Sequence, residues 1–430
     1  MSPRTRVLPK LSANTVYLIL EFSAALLFSF IFTVDSLYHI AVVRLNPLQL
    51  VLVGTVLEGT IFLCEIPTGA LADVKSRRLS IIIGYFLIGL GFVVEGSLPY
   101  FATVACAQVL WGLGYTFTSG ATQAWIADEV GPERAGEAYL RGSQSAKIGG
   151  LIAIPLSVWL GRTNAGLPVV LGGVCMGLLA VFLILAMPEE GFRPAPVEER
   201  RTVARMLETI KDTRRLTQRE PVLLTLLGIA FFYGLYSEGL DRLWAAHLLQ
   251  DLVMPSPKAG YGVPSGAALQ PVVWFGIIRA VHLAISLFAA EVARRAYGRR
   301  SFSVPGVLAG SAALIVLSLC AFGLTTAFWV ALVLYWAIQV LRSVSAPLLD
   351  AWLNERIDDP QVRATMFSMS SQVDAVGQIS GGPLVGFIGN ALSIRAALVT
   401  SGLMLSPVLP LYAHARRLLV KHPHSPRSLT

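Results

Sequence analysis

Charge is scarce in this chain: only 14% of its 430 residues are Asp, Glu, Lys or Arg, against about 25% in an average soluble domain. With 54% of residues hydrophobic and a mean hydropathy of +0.65, a water-soluble globular fold is excluded. Long polar stretches are missing too, which leaves no room for a catalytic domain outside a membrane. Cysteine is sparse. Cys64, Cys106, Cys175 and Cys320 all fall in apolar stretches and form no C-x-x-C pair, so neither a disulfide framework nor a thiolate metal site is indicated. There is no G-x-x-x-x-G-K-[ST], no H-E-x-x-H and no Cys/His set with zinc spacing. An enzyme, a cofactor and a bound metal are therefore not expected.

What the chain has instead is apolar runs. A membrane-spanning helix needs about 20 mainly apolar residues, and twelve segments qualify: 14–36, 48–72, 79–98, 101–128, 139–161, 166–188, 221–245, 269–293, 302–324, 326–350, 364–389 and 393–415. The first, behind Arg4, Arg6 and Lys10, is longer than the ~7–15-residue core of a secretory signal and reads as an uncleaved span. The expected fold is all-α, a polytopic membrane protein of twelve transmembrane helices in two six-helix pseudo-symmetric halves. With the N-terminus inside, 26 of the 34 basic residues fall in cytoplasmic segments and only Arg44, Arg162, Lys258 and Arg395 in outer loops. This split places both termini in the cytoplasm, and it accounts for the net charge of +8 without nucleic acid. The expected location is the cell (inner) membrane, with the protein a multi-pass monomer in the lipid bilayer.

The longest polar stretch divides the spans six and six. The expected organisation is a first bundle over 1–188, a cytoplasmic linker over 189–220 and a second bundle with a short basic tail over 221–430. Within the linker, residues 198–219 read either as a helix on the inner leaflet, since Val203, Met206, Leu207 and Ile210 share a face, or as a solvated tether. The halves resemble each other. Ala124-Trp125 is matched by Ala351-Trp352 at an offset of 227, and Gln144, Gly149 and Pro155 by Gln372, Gly377 and Pro383 at 228. Two such halves form a transporter-type repeat, with a substrate site expected at mid-membrane.

Between spans two and three, Gly69-Ala-Leu-Ala-Asp73-Val-Lys-Ser-Arg77-Arg78 resembles the G-x-x-x-D-R-x-G-R-[RK] signature of the major facilitator superfamily, departing from it at Val74 and Ser76. A degenerate copy, Glu291 to Arg300, lies in the matching loop of the second half. Glu65-Ile-Pro-Thr-Gly69, and Ser119-Gly-Ala through Trp125-Ile-Ala-Asp128-Glu129, look like the bacterial drug and metabolite exporter branch. The run Gly377-x-x-x-Gly381-Gly382-Pro383-x-x-Gly386 resembles that branch's antiporter motif, which the family carries on span five; here it stands on span eleven and reads equally as a hinge. The resemblance implies that Gly69, Asp73, Arg77 and Arg78 form a cytoplasmic charge latch favouring one conformational state. Positive-inside anchoring is the other reading of the cations.

Helical spacing marks candidate substrate-cavity residues. Trp111, Tyr115, Ser119 and Thr122 form one stripe on span four, Tyr233, Ser237 and Trp244 one on span seven, Tyr335, Gln339 and Arg342 one on span ten, and Glu21, Phe28 and Asp35 one face of span one. The resemblance places these four helices around a central cavity. Charge inside a span costs roughly 2.5–3.5 kcal/mol or more and marks functional candidates. At ~1.5 Å per residue, Glu58, Arg279 and Asp374 lie about 15 Å, and Lys147 about 12 Å, into their helices. Glu58 is the first candidate for proton coupling, Asp374 the second and Glu21 the third, with Lys147, Arg279 and Arg342 as buried charge partners; a static ion pair of Glu58 with Lys147 or Arg279 stays open. Asp35, Glu95 and Asp241 fall near outer helix ends, where water is expected to solvate them. His282, near Arg279, reads as a proton relay or as an ordinary hydrogen-bonding histidine.

The function expected is secondary active transport by alternating access, as proton-coupled efflux of amphipathic small organic molecules, with the substrate and protons as partners. A facilitator or proton symporter for a small polar metabolite, and a non-transporting membrane sensor or lipid-modifying protein, are the alternatives.

Overall fold

The computed structural model describes residues 11–194, 221–252, 254, 270–297, 303–356 and 360–421. Among these it is all helix, without a strand. Residues 198–219, Lys258 and the Gly298–Arg300 end of the degenerate signature lie outside the described residues.

Helix α1, Ala13–Phe32, is started by Ser12, whose hydroxyl accepts from the Thr15 amide at 3.3 Å. It continues through a short turn, Asp35–Leu37, into a π-helical turn, Tyr38–Val42. Then follow α2 (Pro47–Val74), α3 (Arg77–Ser97) and α4 (Phe101–Thr118). The expected single span 101–128 is broken here: Gly120 sits at φ 71°, a backbone that side chains other than glycine's resist, and α5 (Ala121–Val130) starts afresh. Gly131, at φ 85°, then turns the chain into α6 (Pro132–Gly161), which begins seven residues before the expected span, and α7 (Gly166–Ala186) follows.

The second half contains α8 (Pro221–Ala246) with its own π-helical turn His247–Asp251, then α9 (Pro271–Tyr297), α10 (Val304–Leu324), α11 (Phe328–Arg356) and α12 (Pro360–Ala391). The expected last span is two helices, α13 (Ile394–Leu405) and α14 (Val408–Lys421), interrupted at Pro407, which supplies no N–H to a helix. Among the described residues eight helices are long and apolar enough to cross a bilayer. The remaining four expected spans correspond to α4 with α5, α6, α9 and α12. Their polar and small residues dilute the apolar run; in α9 only Pro271–Ser286 is strongly apolar.

Two compact units result. The first takes Met1–Arg44, Gly59–Val203 and Val272–Gly276, the second Leu45–Glu58, Ala204–Pro271 and Ile277–Thr430. Helix α2 therefore belongs to the second unit up to Glu58 and to the first from Gly59 on. The same pairing recurs in both: α1 packs on α6 and α7 and α3 on α4 and α7, while α8 packs on α12 and α13 and α10 on α11, α13 and α14. Small residues make these approaches close. A Cβ at Gly149 would strike the carbonyl of Phe22 on α1, and one at Gly377 the carbonyl of Phe231 on α8, so the pair matched in sequence does the same work in each unit. Each unit also leaves large apolar side chains outside, Leu63, Trp159 and Leu185 in the first and Phe288, Leu317 and Phe387 in the second, as a surface meant for lipid does.

Candidate substrate and charge sites

In the first unit α1 is clamped to α6 along one face. The hydroxyls of Ser145, Gly150's neighbour Ser29 and Ser157 bridge the two helices: Ser145 donates to Leu18 O at 3.1 Å, Ser29 to Gly150 O at 3.0 Å and Ser157 to Phe30 O at 2.6 Å. Another face of α1 carries Glu21 and Phe28 into a cleft of about 330 Å³ that α3, α4 and α5 complete with Tyr85, Tyr115, Ser119 and Thr122. Its wall includes the break at Gly120. Glu21 lies close enough to the Tyr17 phenol to interact with it electrostatically. Of the stripe on span four, Trp111 does not line this cleft; it packs in an aromatic cluster, 5.5 Å from Phe32 and 5.8 Å from Phe92 between ring centroids. The side chain of Lys147 is exposed on α6 and not enclosed by the helices of its unit, so it is not the buried charge partner expected.

The second unit gathers the remaining charges. Glu58, half-buried near the middle of α2, interacts electrostatically with Glu238, Arg242, Asp374 and Asp241. Glu238, only 3% exposed, pairs with Arg242 one turn on at 3.3 Å. Gly54 makes room for this pair: a Cβ there would overlap the Glu238 carboxylate and come within 2.5 Å of Arg242 Nε. Arg342 grips Asp241 with both guanidinium nitrogens, at 2.5 and 2.8 Å, and lies 5.8 Å above the Tyr236 ring. Asp241 is thus an ion-pair partner and not merely a solvated end residue. Asp374 accepts from the Gln378 amide at 2.7 Å. Tyr335 stacks on Trp244 at 4.7 Å and accepts from Gln339 at 3.0 Å. Ser237 turns back to the carbonyl of Gly234, and the buried Tyr233 and Tyr412 hydroxyls make no hydrogen bond among the described residues. Arg279 and His282 stand half-buried on α9, close enough to interact electrostatically. Glu238 is the residue that spacing overlooked. Its signal was present, an acid four residues before Arg242 inside an apolar helix.

At the other end of the first unit, Arg77 pairs with Asp128 and donates to Ala124 O at 2.9 Å. The Arg78 amide and the Ser76 hydroxyl both bond Glu189, at 2.8 and 2.7 Å. Trp125 donates to Pro188 O at 2.8 Å, and Glu129 accepts from the amides of Glu190 and Gly191 at 2.7 Å each. The Trp125–Glu129 motif and the signature cations therefore fasten one another and the start of the linker. Lys75 is exposed, and Asp73 and Gly69 sit in the last turns of α2.

Asp35 and Glu95 depart from expectation. They are 8% and 1% exposed, and both meet His39 from the π-helical turn. Solvation by water does not describe them.

The family model described as Major Facilitator Superfamily matches residues 14–279. An uncharacterised MFS-type transporter, YxaM of Bacillus subtilis (strain 168), is 23% identical over 373 residues, covering 85% of this chain and 86% of that protein. The MFS efflux pump atnC of Emericella nidulans is 25% identical over 398 residues, covering 83% and 74%. In fold, the chain resembles a mutant of the nucleoside transporter NupG (TM-score 0.76, 12% identity, 94% of this chain and 100% of that one). It is also similar to a bacterial homologue of the human lysosomal transporter Spinster in an inward-facing, unoccupied conformation (0.73, 16%, 96% and 98%).

Proposed function

Since the chain belongs to the Major Facilitator Superfamily and is a membrane transporter rather than an enzyme, we propose that it exports amphipathic small organic molecules in exchange for protons, by alternating access. The observation that carries this reading is the acid excess in the second unit, where Glu58, Glu238, Asp241 and Asp374 stand around the paired Arg242 and Arg342. Uncompensated charge inside the bilayer costs kcal/mol, and carboxylates held close together favour sharing a proton. Such a cluster exchanges a proton, or a cationic group of a substrate, more readily than a neutral one. The cleft around Glu21 supplies what an amphipathic substrate needs, one carboxylate with the aromatic and hydroxyl groups of Phe28, Tyr85, Tyr115 and Ser119. The efflux direction is supported by the Emericella nidulans relative, named as an efflux pump.

Glu58 is the coupling acid in this reading, with Asp374 and Glu21 next. Asp73 and Arg77 act in the latch, and both termini face the cytoplasm. The test is a substrate panel screened by thermal shift on the purified protein, followed by flux of the hits in proteoliposomes with an imposed pH gradient. Concentration of a hit driven by an opposing proton gradient supports the proposal. Flux that equilibrates a hit regardless of the gradient replaces it with a facilitator.

A further inference from the structure

We infer that Asp35, His39 and Glu95 form a binding site for one divalent transition-metal cation inside the first unit. Asp35 and His39 stand four residues apart, on one face of the helical turns that extend α1, and His39 lies in the π-helical turn Tyr38–Val42. Such turns recur at functional sites because the extra residue re-aims side chains. Glu95 reaches them from α3. Its Oε1 is 2.6 Å from His39 Nε2, and Asp35 Oδ1 is 3.6 Å from the same nitrogen. One ligand atom from each residue lies within 4.8 Å of the others. Ligands of one ion at ~2.0–2.2 Å stand about 3–4.4 Å apart, so small side-chain rotations complete the set.

Three further observations separate this cluster from an ordinary buried network. Asp35 Oδ1 is buried and, among the described residues, has no hydrogen-bond partner. The other carboxylate oxygen of Glu95 accepts from the Gln108 amide at 3.1 Å, the outer-shell support that orients a metal ligand, and the Tyr38 hydroxyl holds the main-chain carbonyl of Glu95 at 2.8 Å. The second unit supplies the contrast. His247 lies in the π-helical turn after α8, where Nδ1 meets Asp251 at 2.8 Å and Nε2 the Phe322 carbonyl at 2.9 Å. That histidine satisfies both ring nitrogens with a single carboxylate and a carbonyl. His39 faces two carboxylates in a dry setting, whose two negative charges a dication cancels. One imidazole with two carboxylates suits Zn²⁺, Mn²⁺, Co²⁺ or Fe²⁺, and lacks the all-oxygen set that Ca²⁺ and Mg²⁺ prefer.

The test uses the full chain in detergent, carrying His422→Ala and His424→Ala to remove tail histidines and stripped with a chelator. Equilibrium dialysis against Zn²⁺ and Mn²⁺, with visible absorption of Co²⁺ as the probe of coordination, should give one tight cation per chain. His39→Ala and Glu95→Gln should each weaken it by tenfold or more. Asp35→Asn keeps the shape of a side chain whose Oδ1 makes no hydrogen bond; it should melt as the parent does without metal, yet lose the rise in melting temperature that Zn²⁺ gives the parent. Absence of stoichiometric uptake, or uptake unchanged in all three variants, overturns the site; so does a cluster that answers to pH and to none of the cations.

Discussion

Gly54 and Gly59 lie five residues apart on α2, yet they should respond oppositely to the same methyl group. At Gly54 a Cβ would enter the Glu238–Arg242 pair, while at Gly59 it would meet nothing within 4 Å. Gly54→Ala should cost about 1–3 kcal/mol, the range for overpacking. Gly59→Ala should be neutral or gain up to ~1 kcal/mol from helix propensity. Thermal melts of the two variants in one detergent check this; a Gly54→Ala protein as stable as the parent would mean that α2 does not press on the pair. Glu58 carries the functional counterpart. Glu58→Gln should abolish pH-driven flux while substrate binding and exchange persist, because the amide keeps the shape and loses the proton site. If the variant concentrates substrate with the parental pH dependence, coupling lies elsewhere, and Asp374→Asn is the next variant to measure.

The break between α4 and α5 shapes the Glu21 cleft, and it rests on the left-handed backbone of Gly120. Gly120→Ala has open space for its methyl but a conformation that costs roughly 1–2 kcal/mol; it should lower affinity for substrates in thermal-shift titrations more than it lowers the melting temperature of the unliganded protein. This break illustrates what the sequence made legible. Apolar periodicity located the helices and put Glu21 and Phe28 on one face of span one and Tyr115 and Ser119 on one stripe of span four. It was the resemblance that brought the two helices together, and these four residues line the cleft while Trp111 and Asp35 of the same stripes do not. It passed over the break because Ser-Gly within an apolar run is tolerated by a continuous helix as well as by a broken one. Charges were read less well. Depth along a helix assigned Lys147 to the interior and Asp35 and Glu95 to water, and each assignment failed, since depth fixes height in the bilayer but not the direction in which a side chain points. The Asp241–Arg342 pair escaped because partners on separate helices become neighbours only through packing, whereas Glu238, four residues before Arg242 on one helix, was legible and overlooked.

The two units repeat a pairing pattern, the first keeping a compact fastening of Arg77, Arg78, Asp128 and Glu189 at its linker end and the second gathering Glu238 and Asp241 against Arg242 and Arg342. In the latch reading, Asp73→Asn shifts the balance of inward- and outward-open states and leaves substrate affinity in a fixed state almost unchanged. Cysteine accessibility on either side of the membrane reads this out, and identical state populations in variant and parent would end the latch reading. The topology that the 26 to 4 charge split implies is checked by Lys258→Cys, which should react with an impermeant reagent only from outside. The most direct measurement is flux of a thermal-shift hit in proteoliposomes of defined orientation, with and without a proton gradient, for the parent and for Glu58→Gln. The account predicts concentrative, gradient-driven export by the parent, collapsing to gradient-independent exchange in the variant. Parental flux that ignores the proton gradient would contradict it.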